Sequence, residues 1–204
     1  MAEDLPKPSV GTTMEQAMRQ SCAGGVPDRK WFVAVVRRNY ERVCRMHLLE
    51  MGYEAYVASQ KQTRVYSNRH RREVEHIVIT GTVFVHITEQ ERLKVLKDCP
   101  HIQCFMLDRT GQSHPYGRAP FAVIPDSQMA TLQFMLYHAD SPVTFTDVPL
   151  RLGDRIRILR GCMQGFEGDF LRQGNDHYIV INLDLLGCAM MTVSANDIER
   201  IINI

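Results

Sequence analysis

No apolar run in this 204-residue sequence exceeds a few residues. The segment Trp31 to Val36 is typical, and a membrane-crossing helix needs roughly 20 such residues. The opening Met-Ala-Glu-Asp-Leu-Pro is acidic and has no apolar core, so no secretory signal is expected and the chain reads as soluble and cytoplasmic. Cysteine has no regular pattern. The six stand at 22, 44, 99, 104, 162 and 188 without a C-x-x-C, and the closest pair, Cys99 and Cys104, flanks a proline. That argues for reduced, mostly buried thiols rather than a disulfide framework. The eight histidines are scattered, with no H-E-x-x-H and no Cys/His knuckle, so neither a metal site nor a cofactor is expected. Also missing are G-x-S-x-G and a phosphate loop. Pairs such as Cys44 with His47, or Asp108 near His114, have nothing else to support a nucleophile and base. The expectation is a protein without catalytic residues.

What is present is ordinary globular composition, 45% apolar and 23% charged, which excludes collagen-like and wholly disordered chains. At 23.4 kDa it fits one medium domain or two small ones. The net charge of +1 conceals an uneven distribution. Residues 29–76 hold eleven Lys/Arg against five acids, while the segments on either side are acidic on balance. A basic block of this kind points to a local polyanion contact, with a solvated charged face as the bland alternative.

Along the chain, residues 1–28 mix Pro6, Pro8, Gly11, Gly24, Gly25 and Pro27 with small polar residues and read as a loosely ordered extension. Trp31 to Val36 reads as a buried strand. Asn39 is expected to cap a helix ending at Gly52, with Tyr40, Val43, Cys44, His47, Leu48 and Met51 on one face. Met46 and Leu49 interrupt the opposite, arginine-bearing face. Tyr53 to Ala58 is a strand candidate, and 59–76 a basic hairpin or loop. Ile77 to Val85 carries the strongest β signal. Thr88 with Glu91 forms a capping box for a helix that Pro100 stops. Ile102 to Leu107 is a further strand, and Pro125-Asp126 opens another helix carrying Met129, Leu132, Phe134, Met135 and Leu136. The order β-α-β-β-α-β predicts an α+β, ferredoxin-like split βαβ domain over 29–138. Asp140, Ser141, Pro142, Thr144, Asp147 and Pro149 make 139–149 read as a linker. Short apolar segments at 156–159, 169–171, 178–181 and 189–193, separated by glycine turns, predict a small β-barrel over 150–204.

The segment Leu152-Gly153-Asp154-Arg155-Ile156-Arg157-Ile158-Leu159-Arg160-Gly161-Cys162-Met163-Gln164-Gly165-Phe166-Glu167-Gly168-Asp169-Phe170 resembles a KOW motif. Alternation makes a half-buried strand, Gly161 and Gly168 are expected to supply turn dihedrals, and Phe166 to plug the barrel. With the Trp31-Phe32 strand opening, Tyr40-Glu41-Arg42-Val43, Thr80-Gly81-Thr82-Val83-Phe84-Val85 and Ile124-Pro125-Asp126, residues 29–204 resemble the NusG family of transcription elongation factors. Within it, Val83 to Glu89 is similar to the UpxY-type antiterminators of capsular polysaccharide operons.

The resemblance implies a processivity or antitermination factor, monomeric, cytoplasmic and nucleoid-associated through RNA polymerase. It implies an apolar patch of Val35, Ile79, Thr82 and Phe84 docking on the clamp of the largest polymerase subunit. Thr80 and Thr82 stand where the family has proline and tyrosine, and Ile79 and Phe84 read equally as core residues. Arg37, Arg38, Arg42 and Arg45 would meet non-template DNA in the transcription bubble, and Arg69, Arg71 and Arg72 would reach DNA from a separate loop. The KOW domain, acidic overall, would recruit a ribosomal protein or a termination factor through Leu183, Leu185, Leu186, Met190 and Met191, each also readable as core. Leu183 to Met191 reads as helix or strand. The alternative is an RNA- or ribosome-associated KOW protein, against which a net charge near neutrality counts.

Overall fold

The computed structural model describes residues 28–65, 71–108, 119–147, 153–183 and 185–201. The expected extension lies outside them but for Asp28, as do Arg69, His114 and Cys22.

The continuous apolar run at the start becomes β1 (Lys30–Val36), the centre of an antiparallel sheet. Its apolarity has a cause in packing: both faces are covered. Phe32, Ala34 and Val36 point to a core with Cys44, Leu48 and Val95, whereas Trp31 and Val33 point to Met129, Leu132 and Met135. The first core lies under two helices, α1 (Glu41–Glu50) and α2 (Glu89–Asp98). The second lies under α3 (Asp126–His138). Each large side chain buried in these layers contributes roughly 1.5–3 kcal/mol. Flanking β1 are β5 (Thr82–Ile87) on one side and β6 (Ile102–Phe105) with the short β7 (Val123–Ile124) on the other. Outside β5 stands β2 (Glu54–Tyr56). The strand order is β2-β5-β1-β6.

Three expectations for this half are corrected. Asn39 does not cap α1: it takes a left-handed φ of 70°, and Tyr40 stands at the cap without a side-chain hydrogen bond. The buried stripe of α1 is the narrow set Glu41, Cys44 and Leu48, while Tyr40 and Val43 are exposed. The strong β segment is likewise two strands rather than one. Gly81, at φ 74°, breaks it, a conformation that the neighbouring threonines and valines avoid. The turn is fixed from both sides, because Val36 N–H donates to the Gly81 carbonyl at 2.9 Å and Gly81 N–H donates to Glu41 Oε1 at 2.7 Å. Upstream of the break, β4 (Arg71–Ile77) leaves the sheet and pairs with β3 (Ser59–Val65) as a separate hairpin. Ile79 therefore sits in the turn and not in a strand.

The capping box at α2 is present in full. Thr88 Oγ1 accepts from Glu91 N–H, and Glu91 Oε2 accepts from Thr88 N–H at 2.9 Å.

The remaining strands form a second, fully antiparallel sheet of order β13-β9-β10-β11-β12-β8. They are β8 (Thr144–Thr146), β9 (Arg155–Ile158), β10 (Glu167–Gln173), β11 (Asp176–Leu183), β12 (Gly187–Thr192) and β13 (Ile198–Arg200). Its inward residues include Ile156, Ile158, Ile179, Ile181, Ala189 and Met191. Of the ambiguous 183–191 stretch, Leu183 ends β11, residues 185–186 form a turn and 187–191 belong to β12, while β8 lies inside the stretch expected as linker. The whole is a mixed α/β protein.

Candidate functional site

Two elements of the basic block face each other, α1 and the β3–β4 hairpin. Arg37 and Arg38 are exposed in the β1–α1 turn, and Arg71 and Arg72 are exposed at the start of β4. Among the described residues neither Arg37 nor Arg38 has an ion-pair partner. Arg42 does. Its Nε lies 3.0 Å from Glu75 Oε2, and its Nη2 donates to the Glu75 carbonyl at 2.7 Å. Ser59 Oγ donates to the other oxygen of the same carboxylate. Arg42 thus clasps the hairpin to α1, and part of its charge is already spent on Glu75. Arg45 Nε donates to the Ala55 carbonyl at a long 3.4 Å.

Two clefts flank this clasp, with Glu75 in the wall of both. One, of about 640 Å³, is lined by Arg38, Asn39, Arg42, Gln62, His76 and Thr80 among others. The other, of about 910 Å³, is lined by Arg45, Tyr56, Lys61, Gln133, Leu136 and Tyr137 among others. The structure therefore brings Arg38 and Arg42 together and places Arg45 in the neighbouring cleft. Arg37, Arg71 and Arg72 line neither.

Of the expected docking residues, Val35 is half-buried and stands opposite Thr82 in the ladder. Thr82 and Ile79 are buried, with Thr82 Oγ1 donating to the Ile79 carbonyl at 3.2 Å. Phe84 has no exposed surface and stands opposite Val33 and Tyr56. On this side of the sheet the accessible aromatic surface is supplied instead by Tyr137, 84% exposed, and the half-buried Tyr56. Burial pushes the Tyr56 phenol up to about 12, with Arg45 working against the shift, so the hydroxyl stays a neutral donor at physiological pH. Sequence reading passed over both tyrosines. Tyr56 sits beside Phe84 once β2 is paired with β5, and Tyr137 follows directly on Met135-Leu136 in the sequence, where nothing local marks it as exposed.

In the second sheet Gly161 has φ 87°, as a turn requires. Gly168 is different, since it lies within β10 and has an ordinary φ. Its need is for space: a Cβ there would lie 2.7 Å from Ile179 Cγ1 and 2.9 Å from the Val180 carbonyl. Phe166 is buried, and its ring stacks on Phe134 of α3 at 5.6 Å and 10°. Leu183 and Met191 are core residues, whereas Leu185, Leu186 and Met190 are half-buried.

Among the described residues no group of three or more histidines, cysteines or carboxylates could hold a metal ion, and no helix is long and apolar enough to cross a membrane. The sequence model of the family described as NusG, transcription termination factor nusG, matches residues 29–133. No curated protein sequence matches the chain. Of the solved structures that are similar, one titled "Domain interaction in Thermotoga maritima NusG" is 14% identical and covers 86% of this chain and 98% of its own, at a TM-score of 0.43. The MjSpt4:Spt5 complex in its conformations A and B is 11% and 12% identical. These cover 84% and 85% of this chain and 97% of theirs, at TM-scores of 0.28 and 0.27. At those scores the weight rests on the sequence match, which spans all of the first sheet and most of α3. On that match the chain belongs to the NusG family.

Proposed function

We propose that this protein is a non-catalytic transcription elongation and antitermination factor that rides on RNA polymerase and serves long operons, those for surface polysaccharides being the class its resemblance favours. The observation that carries the reading is the pair of adjoining clefts on one side of α1. One is edged by Arg38 and Arg42, and the other by the exposed Tyr137 and half-buried Tyr56 beside Arg45 and Lys61, so a cationic and an aromatic contact can be made side by side. Arginine suits phosphate through its planar fork and stacks on unpaired bases. Tyrosine supplies contact area at low entropic cost, as at most protein–protein anchors.

In this reading residues 29–138 are an NGN-type polymerase-binding domain, and the strand order β2-β5-β1-β6 supports the ferredoxin-like arrangement. Residues 150–204 are the KOW domain. Its Gly161, Phe166 and Gly168 and its six-stranded antiparallel sheet support an SH3-like barrel, with β8 contributed by the segment before it. Docking on the polymerase clamp is assigned to Tyr56 and Tyr137, together with the half-buried Val35 over the buried Ile79, Thr82 and Phe84. Non-template DNA is assigned to Arg37, Arg38 and Arg45, with Arg71 and Arg72 reaching further along the nucleic acid and Arg42 holding the hairpin in place. Leu185, Leu186 and Met190 offer the half-buried apolar surface to which a ribosomal protein or termination factor would bind.

The test is affinity capture from cells followed by transcription in vitro. The full chain is expected to co-elute core polymerase subunits and to raise the yield of full-length transcript from a paused template. Tyr137→Ala should weaken capture by about thirtyfold, the loss of one hot-spot anchor worth about 2 kcal/mol. Co-sedimentation with ribosomal subunits and no polymerase would instead support the RNA-associated KOW reading.

A further inference from the structure

Gln60 is a buried polar residue on a surface hairpin, 5% exposed, at the second position of β3. Its amide uses both ends on the same stretch of backbone. Nε2 donates to the Ala139 carbonyl at 3.3 Å and to the Ser141 carbonyl at 2.9 Å, and Oε1 accepts from Val143 N–H at 2.9 Å. Ala139 is the C-terminal cap of α3, so one of these bonds satisfies a carbonyl at the end of that helix. Val143 is itself buried and leads directly into β8, and Ser141 Oγ donates to the Thr192 carbonyl at the end of β12 at 3.1 Å. A single side chain of the first half therefore grips the backbone that enters the second sheet.

The direct contact between the halves is apolar: Met129, Leu132, Met135 and Leu136 of α3 share one buried core with Ile156, Ile179 and Met191 of the second sheet. Phe134 stacks on Phe166 beside it, where open surface clefts of about 420 and 350 Å³ run between α3 and the second sheet. Phe134 itself remains 39% exposed. Apolar attraction is non-directional and does not by itself select one position. By contrast, displacing Gln60 would leave a buried amide and at least one buried backbone N–H without partners, the costly kind of loss.

We infer that Gln60 is the latch that fixes the second sheet against α3, and that the α3 surface alone does not hold it there. Because the latch sits at the root of the β3–β4 hairpin, the position of the second sheet is tied to that hairpin as well as to the end of α3. Gln60 is a positioning residue; it has no contact with ligand in this role. The inference rests on these contacts and stands whether or not the hairpin meets nucleic acid.

The experiment uses the full chain and three variants. Gln60→Met keeps the volume and removes all three hydrogen bonds, Gln60→Asn keeps the amide but shortens its reach, and Phe134→Ala removes the aromatic stack. Amide hydrogen exchange at Val143 and nitrogen-15 relaxation of residues 30–138 and 144–200 are measured in each. Both Gln60 variants are expected to speed exchange at Val143 by about tenfold or more and to let the two halves tumble with separate correlation times. Phe134→Ala should leave a common correlation time. Retention of a common correlation time in both Gln60 variants overturns the inference, as does separation of the halves by Phe134→Ala alone.

Discussion

Phe84→Ala would delete a ring with no exposed surface, packed opposite Val33 and Tyr56, at an expected cost of about 3–5 kcal/mol. Any loss of binding in that variant would report unfolding, which makes it a poor probe of a docking patch. Tyr137 is the better one. At 84% exposed it should tolerate alanine with a change of about 0.5 kcal/mol or less, measured by urea denaturation, so that a binding defect can be read as such. The same burial argument sorts the thiols. Cys44 and Cys99 are buried with Sγ atoms 3.6 Å apart, and burial with the neighbouring sulfur raises the Cys44 thiol far above its ordinary value. Cys188 is raised too, by burial and then by Asp169. Cys104 and Cys162 are exposed. Since the thiolate is the reactive form, Cys104 and Cys162 are expected to react promptly with an aromatic disulfide reagent under native conditions. Cys44, Cys99 and Cys188 should react only on unfolding; prompt labelling of Cys44 in native protein would contradict the packing between α1 and α2. The sequence expectation of mostly buried thiols holds for these three of the five described.

At the scale of elements, α2 illustrates a local rule that tertiary structure left untouched. Thr88 and Glu91 cap each other reciprocally, and the Glu91 carboxyl is held below its ordinary range chiefly by the Thr88 backbone N–H. A lowered carboxyl stabilises the fold above the unfolded value, about 4.3, and that stability is lost as pH falls through the folded value. Glu91→Gln is therefore expected to be less stable than the parent at neutral pH, by up to about 1 kcal/mol given the exposure of the site, with the gap closing in acid. Chemical denaturation at neutral pH and below pH 4 reads this directly. Elsewhere in the fold, local signals were legible only in part. The run Trp31 to Val36 announced a strand covered on both faces, and Pro125 marked the start of α3 to the residue. The split at Gly81 was hidden, because an apolar β-branched segment looks continuous until a partner strand is known, and here Val36 and Glu41 fix the turn from elsewhere in the chain. The buried stripe of α1 was overestimated for a related reason: helical period tells which residues share a face, while the width of the stripe depends on how closely the sheet approaches. Gly168 carried a correct signal for a different cause, close approach in place of turn geometry. The arginines were visible in the sequence as charge, but the division of labour among them was not, since Glu75 selects Arg42 from across 33 positions of chain.

Taken as a whole molecule, the net charge of +1 is the small remainder of a basic arm set against an acidic second sheet, and that separation predicts how salt should act. A protein that neutralises Z phosphates of single-stranded DNA loses affinity with a logarithmic salt slope of about −0.7Z. If the arm between α1 and the hairpin is the contact, Arg38→Ala and Arg71→Ala should each weaken binding and each reduce the magnitude of the slope by about 0.7 to 1. Arg155→Ala in the second sheet, whose Nε lies 3.8 Å from Glu167 Oε2, should leave the slope alone. Arg42 is expected to behave unlike either group. Its partner is Glu75, so alanine there removes one cation and strands one anion while freeing the hairpin that carries Arg71 and Arg72. Affinity should then fall by more than one phosphate contact accounts for, and Glu75→Gln in the Arg42→Ala background should recover part of it by removing the stranded charge. Fluorescence anisotropy of a labelled oligonucleotide across a salt series separates these outcomes. Equal slopes for the parent and for Arg38→Ala, Arg71→Ala and Arg42→Ala would mean that the basic block is a solvated face, and that the proposed nucleic-acid contact lies elsewhere or nowhere on this protein.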